Sequence, residues 1–463
     1  MTYYYKTRSR FTRLEKKCLM KKLIWISAWL WIGLWSCTPV EDPTVTPTPD
    51  KPVVDEVKKA IVDVMREWYF WNGQLPTTVD LTKYASNEAL LDGIIYKPID
   101  RFSYITTQEA FNNSFVGRNA GHGFGFAFTA DERLFVSFVF DEAPAGKDGW
   151  KRGWEIIQIN DKPIADYKLS TGGYDFKLGG PDPGIINKFT FKLPDGSTTT
   201  RTNIKAEYQS NSVLDQRVIQ VDNKKVGYWA YQSFKATAGL SPTRSAEVQT
   251  SMEFFQNQGV QELIIDLRYN GGGSVAVAEQ ICNYLIQSSN NGRLMYTNKL
   301  NDLKTAQNTS RNFSKIGSIN LTRVIFLTSR SSASASELII NALDPYMDVV
   351  LIGDNTFGKP VGSFPLSSYN RILQTNNVEV VPITFAIANA AGKAEYFEGF
   401  PADFKVGDSP QFPWGDVKDL RLAAAIQYIR TGTVGNRMKD TYYKPSWEII
   451  DAFKGLQQEF PVF

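Results

Sequence analysis

The chain of 463 residues contains a single histidine, His122, and three cysteines, Cys18, Cys37 and Cys282. One histidine leaves no room for a histidine-ligated metal site, and any Ser-His-Asp triad would have to be built around His122. Three scattered cysteines give neither a disulfide framework nor a zinc knuckle. Charge of one sign is scarce as well. The net charge is +3, and residues 1–36 hold eight Lys/Arg against one Glu, a surplus of seven, so the remainder carries −4. That balance offers no basic surface for nucleic acid. Long apolar runs are also missing. Leu23 to Trp35 is the most apolar stretch, and its 13 residues are too few to span a bilayer as a mature helix. Finally, Gly271-Gly272-Gly273 has neither a following Lys-Ser/Thr nor the dinucleotide glycine spacing, so no nucleotide cofactor is expected.

What remains is the composition of a globular protein, 43% hydrophobic and 13% aromatic, long enough for two or three cores. Met20-Lys21-Lys22 ahead of the apolar run reads as the start of a signal peptide, so residues 1–36 are set aside as a targeting segment with its true start at Met20. Leu34-Trp35-Ser36-Cys37 resembles a bacterial lipobox. That resemblance implies lipidation of Cys37 and an exported cell-envelope lipoprotein, on the periplasmic or outer-membrane side of a Gram-negative-type envelope. Trp35 departs from the usual small residue, and an ordinary signal peptide is the other reading. Residues 37–52, with their Thr-Pro repeats, form a tether that needs no fold. Cys282 then stands alone on the helical pattern Val275 to Ile286, as a core thiol.

The stretch that organises the rest is Ser332-Ala333-Ser334-Ala335-Ser336-Glu337. Before it, Arg323-Val324-Ile325-Phe326-Leu327 has the length and branching of a buried strand, and after it Leu338 to Leu343 recurs at helical spacing until Asp344-Pro345. Two readings of Ser334 stay open on local pattern. Ser334-x-x-Glu337 is a capping box that satisfies helix N–H groups. A serine at a strand-to-helix turn is also placed to be a nucleophile, because the helix N-terminus favours an anion beside it. With the one histidine far upstream, a serine nucleophile needs a different base, and a lysine can serve if burial lowers its pKa from about 10.4. Lys359 is offered by Asp354-Asn355-Thr356-Phe357-Gly358-Lys359-Pro360, just after the apolar run Val349 to Ile352.

Ser334 and Lys359, 25 positions apart, resemble the Ser-Lys pair of the carboxyl-terminal processing, or tail-specific, family of serine peptidases. The resemblance extends to Asp266-Leu267-Arg268-Tyr269-Asn270-Gly271-Gly272-Gly273 upstream and Glu398-Gly399-Phe400-Pro401-Ala402-Asp403 downstream. It implies an α/β multi-domain protein. Its parts would be a small helical N-terminal domain over 53–112, a β-rich PDZ-like domain over 117–205, a catalytic domain with a crotonase-like (ClpP/crotonase spiral) core over 211–429, and an unassigned extension over 430–463. Alternating strands and helices between Val226 and Ile352 independently argue for α/β layering with parallel pairing.

Site roles follow from the same resemblance. Ser334 is expected as nucleophile and Lys359 as general base and acid, with Ala335 and Gly272 supplying oxyanion N–H groups. Many relatives carry a glutamine four positions after the lysine to orient the amine, whereas this chain has Ser363. Gly123-Phe124-Gly125-Phe126 resembles a PDZ carboxylate-binding loop, implying polypeptide substrates recognised by C-terminal tails. His122 borders that loop as a surface or hydrogen-bonding residue. Asp266 and Arg268 are expected to shape the turn rather than react. A catalytically weak or inactive peptide-binding lipoprotein is the alternative function.

Overall fold

A two-residue period sorts the apolar residues of the catalytic region into two layers. The computed structural model describes residues 53–238 and 243–435, so the signal-peptide, Cys37 and tether expectations, and most of the C-terminal extension, lie outside the described residues. Strands Val213–Val221, Lys224–Tyr231, Glu262–Asp266, Arg323–Thr328, Asp348–Gly353 and Phe404–Lys405 form one sheet in that order. The first pair is antiparallel and all later pairs are parallel. Leu263, Ile265, Val324, Phe326 and Leu351 enter a core shared with helices Ala246–Gln258, Val275–Leu285 and Ala335–Leu343. Their neighbours Ile264, Ile325, Leu327, Val350 and Ile352 enter the opposite core, beneath helix Leu420–Thr431. Strands covered on both faces must be apolar throughout, which is why these segments read as continuous hydrophobic runs. Burying each such side chain contributes about 1.5–3 kcal/mol.

A second, antiparallel sheet runs Thr309–Asn312, Leu294–Leu300, Phe385–Asn389, Val361–Gly362. Its last strand begins two residues after Lys359, so the lysine sits where one layer hands over to the other.

Helix Val53–Trp68 buries Val57, Ala60, Ile61, Val64, Met65 and Trp68, a stripe at spacings of one to four residues. That stripe packs against Leu366, Leu373, Val380 and Ile383, and strand Tyr104–Thr106 pairs with Glu379–Val381. The core of the N-terminal region is therefore continuous with residues 361–383 of the later chain.

The module over 117–205 is an antiparallel sheet ordered Phe124–Phe128, Leu134–Val139, Glu155–Ile159, Ile186–Lys192, Thr198–Ile204. Its core is aromatic: Phe124, Phe126, Phe128, Trp150, Tyr174, Phe176, Phe189 and Phe191 pack together. A two-stranded ribbon, Arg118–Gly121 against Ala206–Gln209, carries the chain into and out of it.

Candidate active site

Parallel strands Glu262–Asp266 and Arg323–Thr328 end side by side, and the loops leaving their carboxyl ends build the site. The first loop is fixed from below. Arg268 is fully buried, and its guanidinium bonds Asp266 (2.7 Å), Asp408 (2.8 Å) and Asp419 (2.8 Å). Arg152 of the β-rich module joins the same carboxylates, donating to Asp419 at 3.3 Å, while Tyr269 donates to Asp408 at 2.6 Å. Burial alone would raise the Asp408 carboxyl, but Arg421, Arg268 and Arg152 outweigh it and hold Asp408 well below the usual carboxylate range. Asp266 and Arg268 thus sit in a closed charge network under the loop.

The second loop carries three serines at alternate positions, and the structure separates them. Ser332 and Ser336 are fully buried, their hydroxyls donating to Leu267 O (2.8 Å) and Asn270 O (3.1 Å). They staple the two loops together. Ser334 lies half-buried between them with φ 55° and ψ −110°, a left-handed conformation rare for a residue with a side chain. Holding it costs on the order of 1–3 kcal/mol, which the stapled surroundings supply.

Glu337 links the two candidate dyad residues. It is fully buried one turn into the helix, and its carboxylate accepts four hydrogen bonds: from Ser334 N–H (3.0 Å), Lys359 N–H (2.8 Å), Gly358 N–H (2.7 Å) and the Thr356 hydroxyl (2.6 Å). The expected capping box is present: the Ser334 side chain faces the Glu337 N–H, and the Glu337 carboxylate accepts from the Ser334 N–H. Burial pushes the Glu337 pKa up while the four donors pull against it. The cap therefore does more than start a helix: it ties the serine's backbone to the lysine's.

Lys359 is buried, with its amine 5.8 Å from the centre of the Phe102 ring. Gly358 before it has φ +97°, and a Cβ there would meet Phe397 O at 2.1 Å, so only glycine lets this loop lie against the downstream motif. That motif holds the loop from behind. Phe400 N–H donates to the Thr356 hydroxyl (2.7 Å), Thr356 N–H donates to Phe400 O (3.0 Å), and Asp403 accepts from Leu351 N–H (2.8 Å). Ser363, four residues past the lysine, is half-buried between Gly362 and Phe364, both hydrogen-bonded to Thr384.

Ala335 is the first residue of its helix, so its N–H has no intrahelical acceptor. Gly272 faces it: a Cβ on Gly272 would lie 2.8 Å from Ser334 Cβ and 3.1 Å from Ala335 N. The expectation for Gly272 is corrected in one respect. Its N–H is already donated to Asn270 Oδ1 at 2.9 Å, so Gly272 contributes open space, and Ala335 the donor facing it.

The Gly123–Phe126 loop begins the edge strand of the module, apart from these residues. A Cβ on Gly125 would lie 2.2 Å from the Phe138 ring and one on Gly123 1.9 Å from Ala143 Cβ, so close packing already requires both glycines. His122 is fully buried rather than on the surface. Its Nδ1–H donates to Asn203 Oδ1 at 2.7 Å, and burial pushes its pKa down to about 4. Cys282 is a buried helix residue whose thiol pKa burial raises.

Two residues escaped the sequence reading. Glu337 was visible only as a cap, because its bonds to 356–359 span about twenty positions. Lys235 is fully buried beside the ribbon, donating to the Ser210 hydroxyl at 3.1 Å, and burial lowers its pKa to about 7. Nothing in Gln232-Ser233-Phe234-Lys235 distinguishes it from a surface lysine.

Comparison with known proteins agrees with this geometry. The model of peptidase family S41 matches residues 225–381, and that of the peptidase S41 N-terminal domain matches residues 56–104. The chain is 23% identical over 320 residues to carboxyl-terminal-processing peptidase 3 of Arabidopsis thaliana chloroplasts, covering 65% of this chain and 59% of that one. It is 23% identical over 319 residues to the carboxy-terminal processing protease CtpB of Bacillus subtilis, covering 66% and 60%. The chain thus spans about 60% of the length of these curated relatives. A crystal structure from Bacteroides fragilis, described as an S41 protease, shares the fold with a TM-score of 0.64 at 24% identity, covering 80% of this chain and 97% of that one. Both family models match in order and the four motifs gather around one serine and one lysine, so in sequence and fold the chain is similar to peptidase family S41, the C-terminal processing peptidases.

Proposed function

We propose that this protein is a serine endopeptidase of the C-terminal processing type, using Ser334 and Lys359 as a dyad. One observation carries the reading: the buried Glu337 carboxylate accepts from the backbone of both residues, so a serine in a strained turn and a buried lysine are held as one unit. Ser334 Oγ attacks the peptide carbonyl carbon while its proton passes to the Lys359 amine. The tetrahedral oxyanion points into the space left by Gly272, towards Ala335 N–H and the positive end of the helix. Lys359 then protonates the leaving amine, and water hydrolyses the acyl-serine by the same steps in reverse roles.

The reading extends to the rest of the chain. The fold is taken as a crotonase-like core with a PDZ-like module, supported by the parallel layering and the module's antiparallel sheet. Among the described residues, edge strand Phe124–Phe128 has Leu134–Val139 as its one strand neighbour, which suits it to accept the tail of an unfolded or exported polypeptide as an added strand. Cys37 is proposed as a lipid anchor in the cell envelope. Mass spectrometry of the native N-terminal peptide tests this: an acylated Cys37 supports it, and an unmodified one refutes it.

The dyad is tested by incubating purified protein with unfolded substrate. Ser334→Ala and Lys359→Ala should each abolish cleavage with folding intact, and the double variant should be hardly worse than either. Substantial cleavage by well-folded Ser334→Ala would overturn the assignment.

A further inference from the structure

The lysine's backbone is fixed by Glu337, and its amine, as a base at the end of a four-carbon stem, must also be aimed. The nearest aromatic wall comes from the N-terminal region rather than from the catalytic layers. We propose that Arg101 and Phe102 are positioning residues for Lys359, so that the N-terminal region supplies one side of the catalytic pocket. This rests on the Ser334–Lys359 reading.

The turn that carries them is rigid. Asp100 is buried and accepts four hydrogen bonds, from Phe102 N–H (2.9 Å), Ser103 N–H (3.0 Å), the Ser103 hydroxyl (2.6 Å) and the Tyr69 hydroxyl (2.7 Å). Ser103 Oγ in turn accepts from Ile383 N–H at 3.0 Å, and the strand that follows pairs with Glu379–Val381. The turn is therefore bolted both to the end of the first helix and to the catalytic region.

From that platform Phe102, 2% exposed, presents its ring to the Lys359 amine at 5.8 Å and to the Phe357 ring at 6.0 Å. Arg101 lies over Phe357 (4.8 Å to the ring centre) and donates through one nitrogen to Phe357 O and Phe397 O, both at 3.2 Å. One guanidinium thus joins the lysine loop to the residue before the downstream motif, while the neighbouring ring bounds the amine on one side. Planar and always charged, arginine suits such a two-carbonyl clamp better than lysine. The ring acts through Lys359 and is not expected to touch the scissile bond. Its loss should lower the rate of serine acylation more than substrate binding.

The test uses the full-length protein and two readouts: labelling of Ser334 by a small fluorophosphonate, which needs no peptide recognition, and kcat and KM for an apolar-tailed peptide. Phe102→Ala should slow labelling and kcat about ten- to a hundredfold with KM within about twofold, the size of effect that misplacing a reacting group produces. Phe102→Leu, which refills the wall, should recover to within about threefold of wild type, and Arg101→Ala should lose more than Arg101→Lys. Leu91→Ala, which opens the same hydrophobic core away from the lysine, should lower the melting midpoint but keep the labelling rate. If Phe102→Ala labels at the wild-type rate, or Leu91→Ala slows as much as Phe102→Ala, the proposal is overturned while the dyad stands. If wild type shows no labelling that Ser334→Ala removes, the dyad itself fails.

Discussion

The catalytic loops and the β-rich module both bury polar groups, but they do so in opposite ways. Around Ser334 the buried charges are answered: Glu337 meets four donors, and Arg268 meets three carboxylates. In the module, the Nε2 of His122 and the Oδ1 of Asn187 are buried with no hydrogen-bond partner, amid an aromatic core. A closed network holds a strained turn in one arrangement, whereas the buried His122 ring resists the proton that the unfolded chain would take. Reactive geometry therefore belongs to the first region, and a titration between pH 6.5 and about 4 to the second.

The sharpest way to break that contrast is at Glu337. Glu337→Ala strands four donors at about 1–3 kcal/mol each, so the protein should lose several kcal/mol in denaturant titration and show no measurable peptidase activity. Glu337→Gln keeps the shape but presents an amide N–H₂ to two of those donors, and should retain more stability than activity. A Glu337→Ala protein with wild-type melting would mean that the carboxylate is not what holds the loops.

Gly272→Ala comes next. At φ +113° with Ser334 Cβ 2.8 Å away, an added methyl strains the backbone and fills the space before Ala335 N–H. Activity should fall about a hundredfold or more, comparable to losing an oxyanion donor, with a smaller change in melting. Unchanged kcat would remove the oxyanion from that space.

The module's open network predicts a pH effect of smaller size. His122 binds a proton less readily folded than unfolded, so between pH 6.5 and about 4 the unfolded state holds more protons and stability falls as pH falls. The loss should approach about 3 kcal/mol across the window, at roughly 1.4 kcal/mol per pH unit. His122→Gln should flatten that limb in melting experiments from pH 7 to 4, and an undiminished slope would assign the acid sensitivity elsewhere. Lys235 provides the alkaline counterpart at the ribbon. Its lowered pKa means that stability should rise with pH from about 7 towards 10.5, and Lys235→Met should remove the rise.

Much of this was legible in the sequence because much of it is local. The strand before Ser334, the helix after it, and the strands at 263–265 and 349–352 are written in hydrophobic periodicity, and burial on two faces demands that periodicity. Ser334 and Lys359 were singled out through motif order. What sequence could not assign were partners set by long-range contacts. Glu337 looked complete as a helix cap, with its partners at 356–359 out of view. The N-terminal helices looked separable because their amphipathic stripe says what they bury but not against what. For Glu337 and the N-terminal helices the missing contact lies far away in the chain, whereas the acceptor of Gly272 N–H is Asn270, two residues earlier, in a local turn.

The most direct test of the central claim, that Glu337 binds Ser334 and Lys359 into one reactive unit, is to locate a fluorophosphonate adduct by peptide mass spectrometry in wild type, Lys359→Ala and Glu337→Gln. The account predicts an adduct on Ser334 in wild type, none in Lys359→Ala, and strongly slowed labelling in Glu337→Gln at unchanged secondary structure. An adduct on Ser332 or Ser336, or labelling of Ser334 that is indifferent to both substitutions, would contradict it.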